Sequence, residues 1–173
     1  MAAEREHIPV NIAVLTVSDS RTEDTDTSGQ ALVDRLQEAG HKLADRRIIV
    51  DNIYLLREAV SAWIANPEIQ VVISTGGTGL TGRDITPEAL RPLLDKEIDG
   101  IGELFRYLSY KEIGTSTVAS RALGGVANGT FIFCLPGSTG ACRTGWDKVI
   151  GPQLDYRNAP CNMVELMPRL LEK

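Results

Sequence analysis

The sequence predicts an α/β domain built on a mostly parallel sheet with one antiparallel hairpin strand, and three features predict it. Apolar runs of strand length, Val10 to Val17 and Val71 to Ile73, are nearly continuous, as in strands buried on both faces of a parallel sheet. Between such runs lie stretches with apolar residues at helical spacing, the alternation expected of βαβ units. Asn128-Gly129 separates two further β-prone runs, a strong hairpin signal because a type I′ turn needs φ > 0 at both central residues.

In chain order, residues 1–9 read as a flexible leader, 10–160 as a single domain and 161–173 as a C-terminal tail. The Val10–Val17 strand ends in a long polar loop, Ser18 to Gly29, of a length that is usually functional. Leu32, Leu36 and Ala39 then mark an amphipathic helix stopped by Gly40. Ile48-Ile49-Val50 is the next short strand. Asp51-Asn52 opens a helix with Leu56, Val60, Trp63 and Ile64 on one face. After Val71–Ile73 comes Ser74-Thr75-Gly76-Gly77-Thr78-Gly79-Leu80-Thr81-Gly82-Arg83-Asp84-Ile85-Thr86-Pro87, in which Thr86-Pro87 resembles a capped helix start. Ala89, Leu90, Leu93 and Leu94 mark a short helix, and Gly100 divides it from another with Ile101, Leu104, Phe105 and Leu108. Beyond the hairpin, Leu135-Pro136-Gly137-Ser138 repeats the sequence of strand, glycine loop and helix start, and Cys142, Trp146, Val149 and Ile150 form the inner face of that helix.

Composition narrows the function. The chain has 173 residues, 43% of them hydrophobic, enough for one buried core. A net charge of −5 with no basic run leaves no footprint for nucleic acid or an anionic membrane surface, and no apolar run is long enough to span a bilayer. Cys134, Cys142 and Cys161 form no CxxC pattern, and His7 and His41 lie far from them. Neither a zinc motif nor a Cys–His nucleophile is expected. Sparse, odd cysteines suit a reducing compartment and a cytoplasmic location.

The glycine loop is the strongest functional feature, because glycines let backbone N–H groups approach an anion closely. Gly77 to Gly82 formally fits G-x-G-x-x-G, but its helix starts only at Thr86-Pro87 and its strand is about the third of the chain, against the dinucleotide fingerprint. Arg83-Asp84 stands where a Walker loop needs lysine and a hydroxyl. In open parallel sheets ligands sit outside the carboxyl ends of the strands, so the loops at Ser18, Asp51, Thr75 and Pro136 are expected to converge.

Taken together, Ser74 to Gly79 with Arg83-Asp84-Ile85-Thr86-Pro87-Glu88-Ala89 resembles the signature of the MoaB/Mog family of molybdopterin-binding, molybdenum cofactor biosynthesis domains. Thr16-Val17-Ser18-Asp19, Gly100 to Arg106, Gly114-Thr115-Ser116-Thr117, Ser120-Arg121-Ala122 and Leu135 to Thr139 are similar to its MoaB branch. The resemblance runs from about Ile8 to Cys161. It implies a three-layer α/β/α domain that binds molybdopterin and, in active members, adenylylates it: the pterin's terminal phosphate attacks the α-phosphate of ATP with Mg²⁺, and pyrophosphate leaves. Active relatives carry two functional aspartates, matched here by Asp51 and Asp84, whereas some MoaB-type relatives lack them. The short tail matches the MoaB branch, the MogA branch being longer at its C-terminus. A homotrimer or homohexamer, and other molybdenum cofactor biosynthesis proteins as partners, are further implications.

On this basis Asp51 and Asp84 are the candidate catalytic and Mg²⁺-binding acids. Thr75, Gly76, Gly77, Thr78, Gly79, Arg83, Pro136, Gly137 and Ser138 are candidates for substrate and phosphate, and Ser18 and Asp19 for nucleotide. Nucleotidyl transfer needs in-line positioning and charge neutralisation more than covalent help from protein. Each candidate also has a plain structural role: Asp51 as an N-cap, Asp84 or Asp19 as a turn residue, Arg83 as a solvated loop charge, Ser138 as the next N-cap. Glu103, Arg106, Arg121 and Arg143 read as structural or intersubunit ion pairs, and Trp63, Phe105 and Trp146 as core. The alternative at the level of function is a non-catalytic molybdopterin-binding or assembly protein of the same fold.

Overall fold

A computed structural model describes residues 5–173; of the leader expected over 1–9, residues 1–4 lie outside the described residues. Six strands form one sheet: β1 (Asn11–Val17), β2 (Lys42–Ile49), β3 (Val71–Thr75), β4 (Lys96–Glu97), β5 (Leu123–Ala127) and β6 (Thr130–Leu135), in the order β2-β1-β3-β6-β5-β4. β2, β1, β3 and β6 run parallel, and β5 is antiparallel to both β6 and β4. The hairpin forms as expected, with Ala127 opposite Thr130 and φ of 47° at Asn128 and 81° at Gly129.

The helices are α1 (Thr27–Glu38), α2 (Ile53–Ile64), α3 (Thr86–Leu90), α4 (Asp99–Ile113), α5 (Thr139–Gly145), α6 (Gly151–Leu154) and α7 (Met163–Leu166). A π-helical stretch, Trp146–Ile150, joins α5 to α6, and a 3-10 turn, Gly114–Ala119, follows α4. The alternating side chains of β1 divide the core. Ile12 and Val14 face a cluster with Leu32 and Leu36 of α1, Phe105 of α4, Trp146, and Met163 and Val164 of α7. Ala13, Leu15 and Val17 face Leu56, Val60 and Trp63 of α2 and Ala89 and Leu90 of α3. Helices therefore cover both faces, giving the three layers. The segment after 160 adds Met163 and Val164 to the core, each about 1.5–3 kcal/mol of burial at most.

Three local expectations need correction. The second strand begins at Lys42 rather than Ile48. It is an edge strand, and Lys42, Asp45, Arg46 and Arg47 hide its apolar alternation, a common way of blunting a sheet edge. Gly100 lies inside the first turn of α4 and divides nothing. Thr86 does not cap α3: Ile85 precedes the helix, and the Thr86 hydroxyl donates instead to the Gly76 carbonyl at 2.9 Å.

Phe133 is fully buried, and its ring lies 6.3 Å from that of Phe131. Phe133→Ala is expected to lower stability by about 3–5 kcal/mol in urea denaturation, and a loss below about 1 kcal/mol would contradict this packing.

Candidate functional site

The carboxyl ends of β1, β2, β3 and β6 bring the four expected loops together. The Ser18 amide donates to Ile49 O at 2.9 Å, the Asp51 amide to Asp19 Oδ1 at 3.2 Å and the Gly76 amide to Leu135 O at 3.1 Å. Gly76 has φ +98°, and a Cβ there would collide with the Val17 carbonyl oxygen. A Cβ on Gly137 would lie 3.1 Å from the Gly76 Cα. Only backbone fits where these strand ends meet.

Within this cluster the candidates divide into two groups. Some are engaged in holding the loops. The Thr75 hydroxyl donates to Pro136 O at 2.9 Å and is buried, and the Gly76 amide is taken by Leu135. Ser138 caps α5, its Oγ accepting from the Ala141 amide at 3.1 Å, and Gly137 O accepts from the Ser28 hydroxyl at 2.7 Å. Ser18 Oγ accepts from the Ser20 and Arg21 amides. Arg83 is paired with Asp19, its Nε donating to Asp19 Oδ2 at 3.0 Å.

Others remain available. The backbone N–H groups of Gly77 and Thr78 make no hydrogen bond to another described residue. Asp51 is relieved of capping α2 by Asn52, whose Oδ1 accepts from the Tyr54 and Leu55 amides at 3.0 and 3.2 Å. The Asp51 carboxylate has no cationic hydrogen-bond partner among the described residues. It lies beside Gly77, where a Cβ would be 3.0 Å from Asp51 Oδ1; the Asp84 carboxylate lies beside Gly79, where a Cβ would be 2.6 Å from Asp84 Oδ2. The two acids thus lie beside Gly77 and Gly79 of the glycine loop.

Their electrostatics differ. Burial, with the negative charges of Asp19 and Asp84, raises the Asp51 carboxyl above its usual range against the opposing pull of Arg83. The Thr81 hydroxyl, donating to Asp84 Oδ2 at 2.6 Å, holds Asp84 below its usual range; the Thr81 and Gly79 amides assist and burial opposes. Arg83 lowers Asp19 through its hydrogen bond. Cys134 and Cys142 are buried, and burial pushes their thiols up to about 12 and about 11, so neither offers a thiolate.

Beside the glycine loop lies a cavity of about 410 Å³, lined by Thr78 and Gly79, by Phe105 and Ser120, and by Gly137 and Ser138. A volume in the range of about 300–1,000 Å³ suits a small organic ligand. The sequence reads Arg121 as an ion-pair residue, which its bond to Glu88 bears out, but not as the residue that ties the glycine loop to Asp84. Arg121 donates to Thr78 O, Gly79 O and Asp84 O at 3.1, 2.7 and 3.1 Å, and pairs with Glu88. Its position 37 residues after Asp84 left no local signal; only its place in the Ser120-Arg121-Ala122 segment pointed to it.

No group of three or more His, Cys, Asp or Glu residues among the described residues is arranged to hold a metal. Asp51 and Asp84 supply two hard oxygen donors, which fits Mg²⁺, an ion usually bound by one or two carboxylates with water and substrate phosphates completing its shell. Among the described residues no helix is long and apolar enough to cross a membrane.

Residues 13–156 match the family model described as "Probable molybdopterin binding domain". The chain is 59% identical over 157 residues to molybdenum cofactor biosynthesis protein B of Escherichia coli K12, covering 91% of this chain and 92% of that one. A crystal structure of a molybdenum cofactor biosynthesis protein B superposes with a TM-score of 0.84 at 46% identity, over 87% of this chain and 94% of that one. The tungsten cofactor synthesizing protein MoaB of Pyrococcus furiosus superposes with a TM-score of 0.72 at 37% identity, over 79% and 88% of the two chains.

Because its carboxyl is raised, Asp51 binds its proton more tightly in the folded chain than in the unfolded one. Its contribution to stability is fully present below the unfolded value and is lost as pH rises through the folded value, so the neutral-pH carboxylate is a net destabiliser. Asp51→Asn is expected to raise Tm by about 1–3 °C at pH 7 and to leave it unchanged at a pH below the ordinary aspartate value of 3.8. An equal gain at both pH values in thermal denaturation would contradict the electrostatic cause.

Proposed function

This chain belongs to the molybdopterin-binding domain family of molybdenum cofactor biosynthesis proteins, and on that premise we propose that it is a molybdopterin adenylyltransferase acting with ATP and Mg²⁺. The observation that carries the reading is the pair of acids, Asp51 and Asp84, beside a glycine loop that also borders a ligand-sized cavity. The pterin occupies that cavity, with its terminal phosphate against the free Gly77 and Thr78 amides. Backbone amides placed in this way stabilise charge without reorganising during reaction. The nucleotide lies toward Ser18 and Asp19. An oxygen of the pterin phosphate attacks the α-phosphorus of ATP; the new P–O bond forms as the bond to the bridging oxygen breaks, and pyrophosphate leaves with the electron pair. Asp51 and Asp84 would hold Mg²⁺, which when bound would supply neutralisation of the triphosphate charge.

Asp51 suits this role because its charge is uncompensated within the chain. A carboxylate repelled by Asp19 and Asp84 gains most from a bound cation. Asp84 suits a different role: the Thr81 hydroxyl and amide fix one of its oxygens, so the carboxylate is ionised and oriented. One observation favours the second reading, in which the chain only holds the pterin. The Arg83 guanidinium is engaged by Asp19 rather than free for phosphate. Calorimetry separates the two readings, since a pure binder takes up molybdopterin and shows no Mg²⁺-dependent ATP heat.

Asp51→Ala and Asp84→Ala are each expected to lower turnover of molybdopterin, ATP and Mg²⁺ by about 100-fold or more, with the far-UV spectrum unchanged. Turnover within about threefold of the parent for either variant would remove that acid from the site. A homotrimer or homohexamer in the cytoplasm completes the proposal. The exposed Leu104, Tyr107, Tyr110 and Ile113 of α4 and the neighbouring Val118 support self-association. Light scattering is expected to give a multiple of the 18.8 kDa chain mass; a monomer at micromolar concentration would contradict it.

A further inference from the structure

We propose that Arg121 is the positioning residue that locks the glycine loop and Asp84 to the wall of the pterin cavity, so that ligand pocket and catalytic acid keep a single geometry. This rests on the adenylyltransferase reading of the site. The guanidinium reaches acceptors on three segments at once. Nε donates to Thr78 O at 3.1 Å, Nη2 to Gly79 O at 2.7 Å and to Asp84 O at 3.1 Å, and Nη1 pairs with the Glu88 carboxylate of α3. Both ends of the loop that carries Asp84 are therefore tied to one planar group.

The direction of these bonds determines what the loop presents. In a trans peptide the C=O and N–H point to opposite sides. By taking Thr78 O, Arg121 turns the Gly79 N–H the other way, and the Asp84 carboxylate lies beside Gly79. Arg121 thus orients the acid without touching its carboxylate oxygens. It also follows directly on the cavity wall. Ser116, Ala119 and Ser120, in and just after the 3-10 turn, line the cavity with Thr78 and Gly79, and the Ser120 hydroxyl is buried with no partner among the described residues. A lysine could not replace this group, because one ammonium cannot span acceptors that a planar fork of N–H donors meets together.

The test compares Arg121→Ala and Arg121→Lys with the parent by native-state hydrogen exchange and by steady-state kinetics. The Asp84 amide, bonded to Thr81 O at 3.0 Å, and the Thr86 amide, bonded to Gly77 O at 2.9 Å, report the loop. In Arg121→Ala both are expected to exchange about tenfold faster or more, while the amides of Val71 to Thr75 keep their protection, which marks local opening rather than global destabilisation. With molybdopterin, ATP and Mg²⁺, kcat is expected to fall about 100-fold, the scale of a misplaced reacting group, with the KM for ATP changed less than about threefold. Arg121→Lys is expected to resemble Arg121→Ala in both measurements. Unchanged loop exchange in Arg121→Ala, or full kcat in Arg121→Lys, would overturn the proposal. If the parent does not turn over but the loop exchange rises as stated, the adenylyltransferase reading fails and the lock stands. If the parent turns over and both variants match it, the lock fails alone.

Discussion

The site depends on the contact between Gly76 and the Val17 carbonyl. β1 and β3 are neighbours in the parallel sheet, and at their shared end the chain of β3 must leave without striking β1. It does so with φ of +98° at Gly76 and +64° at Gly77, conformations open to glycine and strained for other residues. The turn this creates is tightened by Thr86, whose hydroxyl and amide bond the carbonyls of Gly76 and Gly77 at 2.9 Å each. With those carbonyls turned inward, the following N–H groups are left for a ligand. Steric necessity at a strand crossing and the anion recognition proposed for this loop rest on the same feature of the backbone.

Negative charge is concentrated on one side of that turn. Burial and the charges of Asp19 and Asp84 raise the Asp51 carboxyl, and Arg83 compensates mainly Asp19. A fold selected for stability alone would neutralise Asp51; leaving it half-buried and unpaired is the pattern of functional sites, where local strain is tolerated because the surrounding structure enforces it. The surrounding structure is rigid here. Asn52 assumes the capping of α2, Ser138 that of α5, and Arg121 holds the far side of the loop, so none of the two acids' own oxygens is needed for a helix cap.

Much of this was legible in the chain itself. Continuous apolar runs identified β1, β3 and β6 because strands buried on both faces need no alternation, and Asn128-Gly129 identified the hairpin because few other pairs take positive φ twice. β2 was legible only in its last residues, since its edge position demands charges that interrupt the apolar pattern, and β4, two residues long, carries no pattern at all. In the site, the residue types were readable and their division of labour was not. Thr75 and Ser138 are the residues a phosphate loop would offer, yet their hydroxyls hold the strand end and cap a helix. Arg121 acts through carbonyls of residues far away in sequence, and hydrogen bonds to backbone leave no mark in the sequence of the accepting residues. Family resemblance supplied the two aspartates; tertiary structure distinguishes the unpaired Asp51 from the hydrogen-bonded Asp84.

Nucleotidyl transfer at the glycine loop is tested most directly by following the label of ATP carrying a radioactive α-phosphate, incubated with the full chain, molybdopterin and Mg²⁺. Transfer at this loop predicts that the label appears on the pterin in step with pyrophosphate release, one for one, and only when pterin and Mg²⁺ are both present. Label that stays entirely in ATP while the pterin is bound would contradict it and leave a chain that carries the cofactor precursor without activating it.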